Sequence, residues 1–186
     1  NILVLLLACA SLSSFAAEIG GVKLDDTVKV AGQDLQLNGG AVRLKYGFVK
    51  VYVGALYTAQ KIANADAAIS DARPRRVVLT MLRNVEAEKL HESLLEGLEA
   101  NCSDGELAAL QPRIKEMNAI FQAVKTVSTG DVITLDFLPG KGTQITVRGQ
   151  VKDVIAGDDF GHALLKVWLG KKPATADLKA AMLGSK

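Results

Sequence analysis

The residue whose chemistry stands out in the sequence is Arg43, which follows Asn38-Gly39-Gly40-Ala41-Val42 and precedes an apolar stretch that begins at Phe48. An arginine at the lip of two apolar strands presents a permanent fork of N–H donors, which suits a carboxylate or an enolate-like oxygen. The alternative is an ordinary surface pairing of Arg43 with an acid such as Asp34. The residue types therefore predict either an anion-binding arginine or an exposed ion pair.

Other side chains with catalytic or ligating potential lack the partners that such chemistry needs. His91 and His162 lie on predicted helices with no cysteine, histidine or carboxylate at metal-ligand spacing, so a zinc or haem site is not expected. Gly140-Lys141-Gly142 lies between two predicted strands, whereas a dinucleotide-binding loop opens a helix. Cys102 has no candidate base nearby and is expected to be structural, near a helix end. We expect no cofactor and no metal ion.

The N-terminal segment has the features of a secretory signal peptide. No charged residue precedes Glu18, and the apolar run 2–10 is followed by small residues up to Ala17 that suit signal peptidase. The run is shorter than the roughly 20 residues that a bilayer crossing needs. Residues 1–17 are therefore expected to direct the protein to the periplasm or out of the cell, with no transmembrane segment in the mature chain. No methionine or basic stretch precedes the run, so the sequence is expected to begin inside the signal.

Cys9 allows a different reading of the same segment, because Leu6-Leu7-Ala8-Cys9 is a loose lipobox that would make Cys9 a lipidated N-terminus. Cleavage after Ala16 or Ala17 fits the small residues better. Cys102 is then the only cysteine of the mature chain, so no internal disulfide is expected. The charge of +2, from 22 basic and 20 acidic residues scattered along the chain, gives no electrostatic reason to expect nucleic-acid binding.

From residue 18 to residue 186 the pattern predicts one α+β domain with an antiparallel sheet. Strands are predicted at 48–58, 75–82, 132–137, 143–148 and 151–155, and Asn38-Gly39-Gly40 is predicted to be a turn. Helices are predicted at 65–70, after an N-cap at Asn84, after the capping box Ser103–Glu106, around Phe160–Trp168 and at 176–183. Pro112 is expected to kink the second long helix or to start a new one.

Four segments occur in a characteristic order: Asn38 to Arg43, the 48–52 strand that ends in Leu56-Tyr57, the strand around 78–81, and the helix 163–170. Together they resemble the chalcone isomerase-like superfamily, and most closely its secreted bacterial branch. The resemblance covers residues 18–184. It implies an open-faced β-sandwich, in which helices are layered on a large antiparallel sheet and an apolar cleft lies between them.

The resemblance also bears on the site. Plant enzymes of this family cyclise chalcones with an arginine, a strand threonine, a tyrosine and polar residues of late helices. Arg43 falls on the family arginine, whereas Tyr52, Leu90 and Val167 fall at or near the hydroxyl-bearing positions. The pairing of Arg43 with Tyr52 instead resembles the non-catalytic fatty-acid-binding branch, where both residues hold the ligand carboxylate and the cleft holds the tail. Gly54, on the same strand face as Tyr52, is expected to leave room for that tail.

The leading prediction is a secreted or periplasmic, non-catalytic protein that binds a fatty acid or similar amphipathic carboxylate through Arg43 and Tyr52. The alternative is an isomerase, an intramolecular lyase, acting on a chalcone-like or other unsaturated carbonyl compound. In that case Arg43 would stabilise developing charge on oxygen and Tyr52 would donate the proton. A third interpretation is a structural or stress-related envelope protein whose cleft is vestigial.

Overall fold

Strands and helices follow one another in blocks along residues 17–185, which the computed structural model describes. The strands are β1 (Ala17–Ile19), β2 (Val22–Leu24), β3 (Thr27–Val30), β4 (Gln33–Lys45), β5 (Val49–Thr58), β6 (Arg75–Met81), β7 (Val85–Glu86), β8 (Thr126–Val127), β9 (Val132–Leu138), β10 (Gly142–Val147) and β11 (Gln150–Ile155). The helices are α1 (Ala65–Ser70), α2 (Ala87–Asn101), α3 (Asp104–Val124), α4 (Asp158–Leu169) and α5 (Ala176–Met182). The expected signal peptide, with Cys9, lies outside the described residues except for Ala17 at the start of β1.

Seven strands form one antiparallel sheet in the spatial order β11-β10-β9-β6-β5-β4-β3. β6 pairs with β9, although α2 and α3 separate the two strands in the sequence. β5 lies in the interior of the sheet, and all its residues from Val51 to Thr58 are buried. The predicted central apolar strand and the α+β class with an antiparallel sheet are therefore confirmed.

The two faces of the sheet bury separate sets of side chains. The helices cover one face, and the large side chains buried there come from both layers: Leu56, Leu79, Ile133 and Phe137 from strands, and Leu98, Met117, Phe121, Phe160 and Trp168 from helices. The hairpin of β1 and β2 packs on the other face, over Leu35, Val53 and Tyr57. β5 contributes to both cores, which explains why its sequence is apolar on both faces.

Helix α3 begins where the capping box predicts. The Ser103 hydroxyl accepts a hydrogen bond from the Glu106 amide, and the Glu106 carboxylate accepts one from the Ser103 amide. The helix remains one element from Asp104 to Val124, so Pro112 does not start a new helix. Among the described residues, no helix is long and apolar enough to cross a bilayer.

The predicted N-cap at Asn84 is wrong, because tertiary contacts extend the strand there. Val85 and Glu86 pair with β8, and α2 starts only at Ala87, with Glu86 at its N-cap. The Asn84 side chain instead accepts a hydrogen bond of 3.0 Å from the Thr129 amide. Its capping capacity serves the loop before β9 rather than the helix.

The predicted turn at Asn38-Gly39-Gly40 is also wrong, since these residues lie inside β4. The register of β4 against β5 shifts between Leu37 and Gly39, which marks a β-bulge. The Asn38 side chain, 4% exposed, donates to the carbonyls of Ile62 at 2.8 Å and Met182 at 2.6 Å. The Asn38 side chain, which the sequence pattern assigned to a turn, thus anchors α5 and the loop before α1 to the sheet.

We predict that Gly39→Ala lowers the free energy of unfolding by roughly 1–3 kcal/mol, as overpacking does. A Cβ at Gly39 would collide with the backbone carbonyl of Ala181 in α5, and backbone cannot rotate away. Urea denaturation measures the change. Gly105→Ala is the matched control: a Cβ there meets nothing within 4 Å, so this variant should gain up to about 1 kcal/mol of helix stability. Equal stabilities of the two variants would contradict the prediction.

Candidate functional site

The structure brings Arg43 and Tyr52 together. They are direct cross-strand partners in the β4–β5 ladder, and the register skips Val51 just beyond them, where Leu44 pairs with Lys50. The Arg43 guanidinium carbon lies 5.6 Å from the centroid of the Tyr52 ring, which is the geometry of a cation–π contact. A β-bulge therefore fixes the position of the charge at the rim of the helix-covered face.

The Arg43 guanidinium has no carboxylate partner among residues 17–185. Its Nη2 donates to the Ser93 hydroxyl of α2 at 3.1 Å, and its Nε is buried without a hydrogen-bond partner in the described part of the chain. Asp34 pairs with Lys29 at 3.3 Å instead. The exposed ion pair with Asp34, the alternative that the residue types left open, is therefore wrong.

Arg75 shows what a structural arginine looks like in this fold. Arg75 is 3% exposed. Its guanidinium donates to the carbonyls of Ala68 and Ile69 at the end of α1 and lies 5.9 Å from the Phe137 ring centroid. Those carbonyls are acceptors that the helix leaves free. Arg43 has one hydroxyl in place of these two carbonyls, and the Nε of both arginines is buried without a partner in the described part of the chain, so Arg43 makes fewer hydrogen bonds than Arg75.

The Tyr52 hydroxyl faces the helical layer. It accepts a hydrogen bond of 3.0 Å from the Trp168 indole in α4, and both residues are buried, at 3% and 0% exposed. Burial raises the pKa of Tyr52 above its ordinary value, against the opposing effect of the Arg43 charge. The phenol is thus neutral at physiological pH and keeps its own proton to donate.

Two cavities lie on either side of the Arg43–Ser93 hydrogen bond. The first, about 340 Å³, is lined by Arg43, Lys45, Tyr46, Val49, Val51, Arg83, Asn84, Val85, Glu86, Lys89, Leu90 and Ser93. The second, about 270 Å³, is lined by Arg43, Ser93, Glu96, Gly97, Ala100, Val167, Lys172, Pro173 and Ala174. Tyr52 is not among the described residues that line either cavity. The two cavities therefore share Arg43 and Ser93 as a dividing wall, against one side of α2.

The space that Gly54 was expected to leave for a ligand is filled. A Cβ at Gly54 would lie 3.1 Å from Met182 Cε and 3.2 Å from Leu178 Cδ1, both in α5. Leu178 and Met182 are completely buried. The space left by the missing side chain is filled by the protein's own last helix, and the cavities next to Arg43 lie at the rim of the sheet instead.

Ser93 is the residue of this site that sequence reasoning missed. It is the only hydroxyl-bearing residue of α2 and lies between the core positions Leu90 and Leu94. Its chemistry is visible in the sequence. The strand residue that it faces depends on the packing of α2 against the sheet, which local patterns do not encode.

The remaining reactive residues lie apart from this site. His91 packs against Phe121 with its Nε2 buried, and burial lowers its pKa. Burial also lowers the pKa of His162 and raises that of the Cys102 thiol, which disfavours the nucleophilic thiolate. Cys102 is unpaired and follows the last residue of α2, as expected. Within the described residues, no three His, Cys, Asp or Glu side chains are grouped so that they could hold a metal ion.

Tyr52→Phe is expected to cost roughly 1–3 kcal/mol of stability, because it leaves the Trp168 indole N–H buried without an acceptor. Chemical denaturation followed by the fluorescence of Trp168, the single tryptophan of the chain, measures the loss. Tyr57→Phe is the control. The Tyr57 hydroxyl donates to the carbonyl of exposed Asp25, which water can solvate, so this variant should lose about 1 kcal/mol or less. A smaller loss for Tyr52→Phe than for Tyr57→Phe would sink this account of the pair.

Comparison with known proteins identifies a similar fold and the family of the chain. No curated protein sequence matches the chain significantly. Among solved structures, a fatty-acid binding protein of Arabidopsis thaliana superposes with a TM-score of 0.69 over 88% of this chain and 92% of that one, at 14% identity. That likeness shows a shared fold. A family model described as chalcone isomerase-like matches residues 16–184. The chain therefore belongs to the chalcone isomerase-like family.

Proposed function

We propose that the protein binds a fatty acid or a similar amphipathic carboxylate at Arg43, without catalysing a reaction. The observation that carries the proposal is a half-buried arginine that lacks a carboxylate partner in the described residues and forms the wall of two cavities. An arginine withdrawn from water is stabilised by an anion that accepts hydrogen bonds from it. In this site the ligand supplies that anion.

The polar end of the ligand binds by exchange with Ser93. Among the described residues the guanidinium is hydrogen bonded only to the Ser93 hydroxyl, a neutral acceptor. A carboxylate that replaces this hydroxyl accepts two parallel N–H bonds, and each charge-assisted bond is about twice as strong as a neutral one. The Tyr52 ring beneath the guanidinium restricts its motion, so that less side-chain entropy is lost on binding. The predicted direct contact of the Tyr52 hydroxyl with the ligand stays a prediction.

The apolar end of the ligand lies in the cavity of about 340 Å³, against Val49, Val51, Val85 and Leu90. Burial there contributes roughly 25 cal/mol per Å² of acyl surface. Small-molecule pockets span roughly 300–1,000 Å³, so this volume is at the lower end. It favours a short acyl chain, or a longer chain whose end continues past the rim.

The positions that separate binding from catalysis also favour binding. By the resemblance to the plant enzymes, hydroxyl-bearing residues fall near Leu90 and at Val167, and these two apolar side chains line the two cavities beside Arg43. Tyr52 remains as a phenol whose raised pKa makes it a weak proton donor at neutral pH. The fatty-acid binding protein of Arabidopsis thaliana, similar in fold, supports the same reading by its name.

Arg43→Met is expected to weaken fatty-acid binding by roughly 10- to 100-fold, because it keeps an apolar side chain and removes the charge-assisted hydrogen bonds. Isothermal titration with a series of fatty acids measures the affinity, and mass spectrometry of a denaturing extract identifies any ligand carried from cells. Arg73→Met is the control, since Arg73 pairs with Asp71 outside both cavities.

Two results would overturn the proposal. One is a wild-type protein that carries no lipid and binds no fatty acid. The other is an Arg43→Met protein that binds as tightly as the control. Turnover of a chalcone that depends on Arg43 would instead support the isomerase.

We also propose that residues 1–17 export the protein to the periplasm or the outside of the cell, on the basis of their charge-free apolar run. Intact-mass measurement of the protein purified from its source cells is expected to show a chain that begins at Ala17 or Glu18. A retained apolar segment, or a lipid attached to Cys9, would contradict cleavage at this point.

A further inference from the structure

Two aromatic side chains stand in solvent at the tip of the β4–β5 hairpin. Tyr46 and Phe48 are each 77% exposed. The other large hydrophobic side chains exposed in residues 17–185 are valines: Val132, Val151 and Val154. An isolated exposed side chain needs no explanation, but two aromatics on one three-residue turn form a surface feature. We call the segment from Lys45 to Lys50 the aromatic tip.

The tip is built in a way that a turn under selection for stability alone would avoid. Tyr46 and Gly47 both have positive φ, at 55° and 79°. Positive φ favours glycine, asparagine or aspartate, and a bulky side chain such as tyrosine is strained there. The sequence therefore accepts backbone strain in order to place a tyrosine at the outermost point of the hairpin.

The two charged residues of the aromatic tip are both lysines. Lys45 and Lys50 are exposed at the two ends of the tip, and no acidic residue lies between them. The Lys45 ammonium lies 5.3 Å from the Tyr46 ring centroid. Aromatic side chains flanked by lysines are the combination that settles at the interface of a bilayer, with the rings at headgroup level and the charges on anionic lipids.

The tip is continuous with the ligand site. Lys45 and Tyr46 line the cavity of about 340 Å³ whose inner wall is Arg43. A surface that holds the tip would therefore lie directly at the mouth of that cavity.

We propose that the aromatic tip docks the protein onto an anionic phospholipid surface, with Tyr46 and Phe48 inserted among the headgroups. Docking places the cavity mouth against the membrane, so that an amphipathic ligand passes between bilayer and cavity without crossing water. This second step rests on the proposed function, whereas the docking itself does not depend on the ligand.

A bilayer fits the tip better than a second copy of the chain does. Stable protein interfaces bury roughly 800 Å² on each partner, which is far more than two side chains on a single turn offer. Two tips brought face to face would also place Lys45 and Lys50 against their own copies, and like charges repel. Binding to a lipid surface requires neither a large buried area nor a partner of complementary shape.

Vesicle flotation tests the docking with the ligand-free protein. Wild type is expected to float with vesicles of phosphatidylcholine that contain phosphatidylglycerol, and much less with phosphatidylcholine alone. Tyr46→Ser/Phe48→Ser should bind at least roughly tenfold more weakly. Val151→Ser/Val154→Ser removes two exposed hydrophobic side chains from β11, the strand at the far edge of the sheet, and should bind as wild type does. Lys45→Gln and Lys50→Gln should each weaken binding on the order of fivefold at low salt.

Several results would overturn the proposal. These are no flotation of wild type, equal flotation on the two lipid compositions, or equal losses for the tip and β11 variants. Sedimentation velocity without vesicles tests whether the tip binds a second copy of the chain. A wild-type dimer that the Phe48→Ser substitution converts to monomer would assign the tip to that contact. Ligand binding is measured without vesicles and flotation without ligand, so the two proposals can fail separately. Phe48 is not among the residues that line the cavity, and Phe48→Ser should therefore keep its affinity for fatty acid while losing flotation.

Discussion

A positive charge over an aromatic ring is the interaction around which the site is organised. Arg43 and Tyr52 face each other because β4 and β5 pair in one register up to this point and in another beyond it. The Tyr52 ring lies under the guanidinium, and its hydroxyl is held by the Trp168 indole of α4. These contacts connect the sheet, through Tyr52, to both the Arg43 guanidinium and the helical layer. The outer edge of the guanidinium contacts Ser93 and the two cavities.

The cavities beside Arg43 lie at the rim of the sheet and not in the packed interior between the layers. Large aromatic and aliphatic side chains from both layers pack the interior, with Trp168, Phe121, Phe137 and Phe160 almost fully buried. A packed interior of this density leaves no room for an acyl chain. Near the hairpin ends of β4 and β5, the sheet and α2 enclose a cavity in which charged side chains, Arg43 among them, lie beside apolar ones.

Much of the fold could be predicted from the sequence because its signals are local. The period-two pattern of β5, the capping box at Ser103 and the extent of α1 all depend on neighbours within a few residues, and the structure agrees with them. The predicted turn at Asn38 and the predicted N-cap at Asn84 were wrong for a common reason. Each has a side chain that competes for backbone hydrogen bonds, and the partners it takes lie more than 20 residues away. In the site, Arg43 and Tyr52 were predicted from their chemistry, whereas Ser93 and the filled space beside Gly54 depend on how α2 and α5 pack.

Because α5 packs against Gly54, the architecture and the volume left between the layers depend on different parts of the chain. The sheet and the three long helices determine the architecture. The side chains of a seven-residue helix near the end of the sequence determine how much of the volume between the layers is occupied. Smaller residues at positions 178 and 182 would open space between the layers beside Gly54 without altering a single strand pairing. Within such a scaffold, a few C-terminal substitutions would change the volume between the layers, while the Arg43–Tyr52 pair stays in place.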